Sequence, residues 1–241
     1  MNRPKIFGVV PARSNSGGIP DKNVKLLLGK PLLAWSVEAG MKSDVLDKVI
    51  LLTDSNDYAE IGKKYGAEVP WLEPREYAGN TSHVFHAIKW LILKLEEVAD
   101  KPDYIVLLEP TAPARQVEHI RELVKIVLDN GADSGFTVIP VNANSSAYWQ
   151  FSIDKENHPN LVMGGPFKEI IRQRQLLPQL FIRGGSTYIS KTECLLKENP
   201  DMYGDDIRVL SIDSKYAVDL DSEEDWFLAE KYLKGLFKDA R

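Results

Sequence analysis

VVPARSNSGGIPDKN, residues 9–23, is the stretch from which the rest of this chain can be read. An apolar strand, Ile6–Val10, runs into a loop carrying Arg13, Ser14, Ser16, Gly17, Gly18, Lys22 and Asn23. Small residues leave backbone N–H groups exposed at close range and flanking cations add positive charge, a combination that cradles phosphate. A solvated turn of the same Gly, Ser, Asn and Pro content is the plain alternative. Two cations and several small positions directly after an N-terminal strand favour phosphate.

Outward from this loop the chain alternates. Strands are expected at Ile6–Val10, Lys48–Thr53, Glu68–Leu72, Tyr104–Leu108 and Ser134–Ile139. Helices are expected between them, near Leu32–Lys42, Asn56–Tyr65, Ser82–Val98 and Val117–Asn130. Val84, Phe85, Ile88, Leu91, Ile92 and Leu95 keep helical spacing. Such alternation implies an α/β fold with a mainly parallel sheet covered on both faces, and such sheets bind ligands at the carboxyl ends of their strands. From Pro140 to Gln179 the periodicity fails, and Asn, Ser, Pro and Arg mix with Tyr148, Trp149, Phe151, Phe167 and Leu176. This stretch reads as an inserted arm that packs on another surface, such as that of a second subunit, within one domain spanning residues 1–241. Regular structure resumes at Thr187–Ile189, Val209–Ile212 and an amphipathic helix over Glu223–Phe237.

The composition excludes some classes. A formal net charge of -5 argues against a general nucleic-acid binder. Cys194 is the lone cysteine, so an intrachain disulfide is impossible and a reducing compartment fits. The apolar run after Met1–Lys5 is too short for a signal peptide and no stretch suits a bilayer, so the expected location is the cytoplasm.

Several residues have the chemistry for a site. Asp219 and Asp221 lie two apart and share a face if extended, so they could hold Mg²⁺; Asp221 or Ser222 could equally cap the last helix. Glu109, Thr111 and Arg115 form a stiff, proline-flanked rim where a strand ends, or simply a turn into the next helix. At Thr53-Asp54-Ser55, capping by Asp54 or Ser55 is favoured over ligand contact. Lys168, Arg172, Arg174 and Arg183 could clamp a carboxylate or phosphate, against a solvated surface as the default. His83 and His86 have no third ligand at a suitable spacing, which argues against zinc.

Taken together and in order, PARSNSGGIPDKN (11–23), GKPLLAWSV (29–37), TDS (53–55), PTAPAR (110–115), LPQLF (177–181) and VDLDSEEDW (218–226) resemble the acylneuraminate cytidylyltransferase family across essentially the whole chain. The family comprises CMP-sialic acid synthetases and relatives acting on other nonulosonic acids or Kdo. The resemblance implies a Rossmann-like nucleotidyltransferase fold and a homodimer whose arm, here 140–180, reaches the partner's site. It also implies a reaction of CTP with an acidic sugar to give a CMP-sugar and pyrophosphate, with Mg²⁺. By position it implies nucleotide contacts from Pro11, Ala12, Arg13, Ser16, Gly17, Asn23, Glu73 and Thr81. Acceptor contacts are implied for Glu109, Arg174, Gln175, Gly185 and Ser186, metal ligation for Asp219 and Asp221, and catalytic roles for Arg13, Lys22 and Asp221.

The chain departs from the family at four places, one of them Gly184-Gly185, where an Asn-Gly pair near the sugar is common. Gly17 stands where a lysine or arginine is usual, which leaves open a binding paralogue without turnover. Glu73 replaces a common arginine near the base and could suit a base with N–H donors, leaving GTP as an alternative nucleotide. Glu109 replaces a usual glutamine, and would repel a carboxylate beside it and welcome an ammonium group.

Overall fold

The computed structural model describes residues 3–14, 19–77 and 84–238. In chain order the sheet and helix elements are β1 (Ile6–Pro11), β2 (Leu26–Leu27), β3 (Lys30–Pro31), α1 (Leu32–Lys42), β4 (Lys48–Leu52), α2 (Asn56–Lys64), α3 (Val84–Glu97), β5 (Tyr104–Leu107), α4 (Val117–Asp129) and β6 (Ser134–Pro140). They continue with β7 (Phe151–Ile153), β8 (Pro159–Leu161), β9 (Phe181–Lys191), α5 (Thr192–Leu195), β10 (Ile207–Ser211) and α6 (Glu223–Lys238). The main sheet runs β10-β6-β9-β5-β1-β4. β1 is parallel to β4 and β5, and β10 is parallel to β6. The fold is therefore α/β with a mainly parallel sheet. Among the described residues no helix is long and apolar enough to cross a membrane.

The period-two alternation of each strand divides the core into two layers. Ile6 and Val10, with Val49, Leu51 and Val106, pack under α1, α2 and α4 through Leu33, Val37, Tyr58, Leu123 and Val127. Phe7 and Val9, with Ile50, Leu52, Ile105 and Leu107, pack under α3 through Ile88, Leu91, Ile92 and Leu95. Burying both faces leaves only the strand ends for polar chemistry.

Two expected strands differ in the fold. Glu68–Leu72 makes a single parallel bridge, Glu68 to Ile50, and no ladder. Pro70, two residues on and next in line to donate, has no N–H for a ladder. Thr187–Ile189 is part of the eleven-residue β9, which runs antiparallel between β5 and β6. A bulge hides its length: Phe136 pairs with Tyr188 and Val138 with Arg183, so Thr137 faces four residues, 184–187. Gly184 fits there because a Cβ would stand 3.1 Å from the Thr137 carbonyl oxygen, and Gly185 takes φ +65°.

Residues 140–180 are ordered around a short hairpin, β7–β8, and several 3-10 turns. The Trp149 indole N–H donates to the Ile171 carbonyl at 2.6 Å, and Phe151 meets Phe167 edge-on with centroids 5.2 Å apart. Phe151, Ile153, Val162, Met163 and Leu176 remain exposed.

Candidate active site

The site exists because an apolar staple joins the two ends of the chain. Ile19, directly after the loop, packs with Leu27, Leu32, Ala114, Leu220, Trp226, Ala229 and Leu233. Leu220 is fully buried in this cluster, so Asp219 and Asp221 on either side of it are turned away from the apolar contact. The Leu220 N–H donates to the Thr111 carbonyl at 3.1 Å, which ties the acidic segment to the end of β5. Lys25 adds an outer fastening, 2.5 Å from Glu223 and 4.6 Å from the Trp226 ring centre.

Lys22 closes this junction from the amino-terminal side. Its ammonium donates to the Leu220 carbonyl at 2.8 Å and to Asp221 Oδ1 at 3.2 Å. The lysine is buried while Asp221 is exposed, so the lysine is the fixed member of the pair. Asn23 donates from Nδ2 to the Arg13 carbonyl at 3.1 Å and accepts the Leu33 N–H at 2.8 Å, anchoring the returning strand of the loop to α1.

A cavity of about 580 Å³ opens over these groups at the carboxyl ends of β1, β4 and β5. Arg13, Lys22, Asn23 and Asp221 line its polar end, and Leu52, Tyr77, Val84 and Ala87 line an apolar wall. Pro11, Glu73, Glu109 and Thr111 complete it. Ala12 is buried beneath, its N–H donating to the Leu52 carbonyl at 2.8 Å. A basic end beside an apolar slot matches a ligand with phosphates at one end and a flat ring at the other.

The electrostatics of the cavity are unusual in its carboxyl groups. Burial, then the Asp54 charge, pushes the Glu73 carboxyl up to about 7, against the pull of Arg13. Burial also raises Glu109, with Arg115 opposing and Asp219 and Asp221 adding to the rise. Asp219 is raised by its own desolvation, opposed by a hydrogen bond with Thr111, and raised further by Asp221. Elevated carboxyl groups gathered in a cleft are a mark of functional sites.

Arg115 belongs to the frame of the site. Fully desolvated, and lowered to about 10 by that burial, it donates to the Ser186 carbonyl at 2.5 Å, Ser36 Oγ at 2.6 Å and the Glu109 carbonyl at 2.8 Å. It thereby fixes the β9 bulge against α1 and the end of β5. The Ser186 hydroxyl is taken up by Thr137 Oγ1 at 2.9 Å. Beyond Glu109 a second cavity, about 410 Å³, is lined by Val84, Phe85, Leu107, Glu109, Arg183, Tyr188, Asp201, Met202 and Tyr203. Glu109 and Val84 line both cavities, so the two adjoin. Arg183 donates from Nη1 to the Tyr203 hydroxyl at 3.3 Å, which directs its guanidinium along this wall.

The structure thus brings Pro11, Arg13, Lys22, Asn23, Glu73, Glu109 and Asp221 to one cavity. Asp219 lines a groove beside α6 instead, so the two aspartates do not share one face as their spacing suggested, because the segment around the buried Leu220 is not a regular strand. Gly185 and Ser186 lie in the bulge behind Glu109, where Ser186 is buried. Arg174 and Gln175 are exposed on the arm, where Arg174 lines a separate small cavity with Asn142 and Pro178. Ser16, Gly17, Thr81 and His83 lie outside the described residues. Of the TDS triplet, Ser55 caps α2 by accepting the Tyr58 N–H, whereas Asp54 bonds to Ser14. Arg183 and Tyr188 owe their position to the antiparallel β9, which periodicity did not show.

With this geometry in place, comparison with known proteins is informative. Residues 7–160 match the family model described as Cytidylyltransferase. The chain is 34% identical over 231 residues to the CMP-N,N'-diacetyllegionaminic acid synthase of Legionella pneumophila, covering 95% of this chain and 97% of that protein. It is 40% identical over 124 residues to the N-acylneuraminate cytidylyltransferase of Escherichia coli, covering 52% of this chain and 28% of that protein. Among solved structures, a CMP:2-keto-3-deoxy-manno-octonic acid synthetase complexed with CTP superposes with a TM-score of 0.72 at 13% identity, over 96% of this chain and 99% of that one, which shows the shared fold. The convergence of loop and acidic segment on one cavity, with a family match across 154 residues, 7 to 160, and a relative aligned nearly end to end, identifies this chain as an enzyme of the acylneuraminate cytidylyltransferase family.

Proposed function

We propose that the protein couples CTP to a nonulosonic acid, forming a CMP-sugar and pyrophosphate. The observation that carries this reading is the buried Lys22 ammonium, held 2.8 Å from the Leu220 carbonyl at the polar end of a cavity with an apolar slot. The base would enter the slot between Leu52, Tyr77, Val84 and Ala87 with Glu73 at its edge, and the phosphates would lie toward Arg13, Lys22 and Asn23. The acceptor would occupy the adjoining cavity, with its carboxylate on Arg183 and its acyl or deoxy groups on Phe85 and Met202.

In this arrangement the acceptor's anomeric hydroxyl oxygen attacks the α-phosphorus. A new P–O bond forms, the bond from the α-phosphorus to the bridging oxygen breaks, and pyrophosphate leaves with the electron pair. The hydroxyl proton passes to solvent. Lys22 and Arg13 would place positive charge where the pyrophosphate develops negative charge. Holding the two substrates in adjoining cavities supplies the alignment that a bimolecular encounter lacks.

The residues also suit Mg²⁺. Asp221 is exposed into the cavity beside Lys22 and Asp219 is raised partly by its repulsion, so two hard oxygen donors lie close enough to interact and only one cation pairs with them directly. Among the described residues no group of three or more His, Cys, Asp and Glu could enclose a metal, so phosphate and water would complete its shell. A bound Mg²⁺ would orient the phosphates and offset their charge. The exposed apolar side chains of the arm, Phe151, Ile153 and Leu176 among them, support a homodimer in which they are covered.

The test is pyrophosphate release from each of the four NTPs with N,N'-diacetyllegionaminic acid, N-acetylneuraminic acid and 2-keto-3-deoxy-manno-octonic acid. Release with CTP and at least one of these acids is expected. Release with GTP alone overturns the cytidylyl reading, and no release with any acid overturns the acceptor class.

A further inference from the structure

We infer that Asp54 and Tyr58, at the corner between β4 and α2, are positioning residues that hold Ser14 and Asp21 and so fix the neighbouring Arg13 and Lys22 toward the triphosphate. The inference rests on the nucleotide reading above. At the first foot, Asp54 Oδ1 accepts the Ser14 N–H at 2.7 Å and Oδ2 accepts the Ser14 hydroxyl at 2.9 Å. At the second, the Tyr58 hydroxyl donates to Asp21 Oδ1 at 2.9 Å. Between the feet, Asn23 Nδ2 donates to the Arg13 carbonyl at 3.1 Å. Ser14, Asp54, the first turn of α2, Tyr58, Asp21 and Asn23 thus close a polar circuit around the base of the loop.

Neither residue is needed where it stands for the helix itself. Ser55 already caps α2 by accepting the Tyr58 N–H. The Tyr58 ring packs in the core while its hydroxyl reaches out to Asp21. Asp21 is held at φ +49°, a left-handed conformation unusual for a residue with a side chain. Its carbonyl accepts the N–H groups of Val24 and Lys25 at 3.0 Å each, so the turn that aims Lys22 is wound around this one residue. The clamp fixes Arg13 through its neighbour Ser14 and Lys22 through its neighbour Asp21, and both cations line the polar end of the cavity.

The experiment is calorimetric titration of CTP and of CMP into wild-type protein, Tyr58→Phe, Asp54→Asn and Asp54→Ala. CMP shares the base, so any effect relayed through Glu73 moves both ligands alike, whereas displacement of Arg13 and Lys22 weakens the triphosphate selectively. Tyr58→Phe keeps the buried ring, and thermal unfolding checks that each variant is folded. Loss of hydrogen bonds to a charged group predicts CTP binding weaker by about tenfold in Asp54→Ala and about threefold in Tyr58→Phe, with CMP changed less than about twofold. Asp54→Asn keeps an acceptor for Ser14 and should recover part of the loss. Equal weakening of CTP and CMP, or no weakening in folded variants, overturns the clamp. Failure of the wild-type protein to bind CTP overturns the nucleotide reading itself.

Discussion

Glu73→Gln should stabilise the protein at alkaline pH and leave it nearly unchanged in mild acid. The Glu73 carboxyl rises from 4.5 to about 7 on folding, through burial and the Asp54 charge, with Arg13 opposing. The folded form therefore holds this proton more tightly than the unfolded chain. Below the unfolded value the carboxyl is neutral in both states and costs nothing; the penalty grows as pH climbs from there and is complete above about 7. At about 1.36 kcal/mol per pKa unit, the full penalty is about 3 kcal/mol. Glutamine has nearly the same shape and no charge to desolvate, so it removes the penalty. The assay is urea denaturation of both proteins across the pH range. The variant should gain less than about 0.5 kcal/mol near pH 4.5 and about 3 kcal/mol near pH 8.5, where its melting point should rise by about 2–4 °C per kcal/mol. A gain independent of pH, or a variant less stable near pH 8.5, would refute the reasoning. A buried carboxyl that costs stability at neutral pH is what a residue serving a ligand looks like.

Three further outcomes follow from the same geometry. Lys22→Met keeps the buried stem and removes the ammonium, so kcat for pyrophosphate release should fall by about 10²–10³ while unfolding free energy falls by only about 1–3 kcal/mol; parallel losses in both, or an unchanged kcat, would make Lys22 merely structural. Arg115→Met leaves the Ser186 and Glu109 carbonyls and the Ser36 hydroxyl without their donor, and chemical denaturation should register a loss of about 3 kcal/mol or more. Asp221→Asn should raise the Mg²⁺ concentration giving half-maximal activity by about tenfold, as expected when a charged oxygen ligand is replaced by a neutral one; an unchanged Mg²⁺ titration would remove Asp221 from the metal.

How much of this was legible in the sequence depends on how local the physics was. The continuous apolar run at Ile6–Val10 and helical spacing along Ile88, Leu91, Ile92 and Leu95 are local signals, and those elements lie where the pattern places them. The Asp-Leu-Asp triplet showed only its alternation: Leu220 is buried, but Asp221 lines the cavity over Lys22 while Asp219 lines the groove beside α6. Glu68–Leu72 shows the opposite case, in which apolar residues suggested a strand but only one bridge formed. The antiparallel course of β9 depends on pairing with β5 and β6, which are remote in sequence, and its register is broken opposite Thr137 at Gly184-Gly185. Arg115 read as a rim residue because nothing local shows that Ser36 and Ser186 supply its acceptors. Asp54 read as a cap for the same reason, since its partner Ser14 lies forty positions away.

The central claim is that the amino-terminal loop and the carboxyl-terminal acidic pair meet around one nucleotide. Its most direct test is a crystal structure of the protein with CTP and Mg²⁺. The triphosphate should lie between Lys22 and Asp221 with the base in the slot beside Glu73. A nucleotide bound away from Lys22, or a cation with no contact to Asp219 or Asp221, would contradict it.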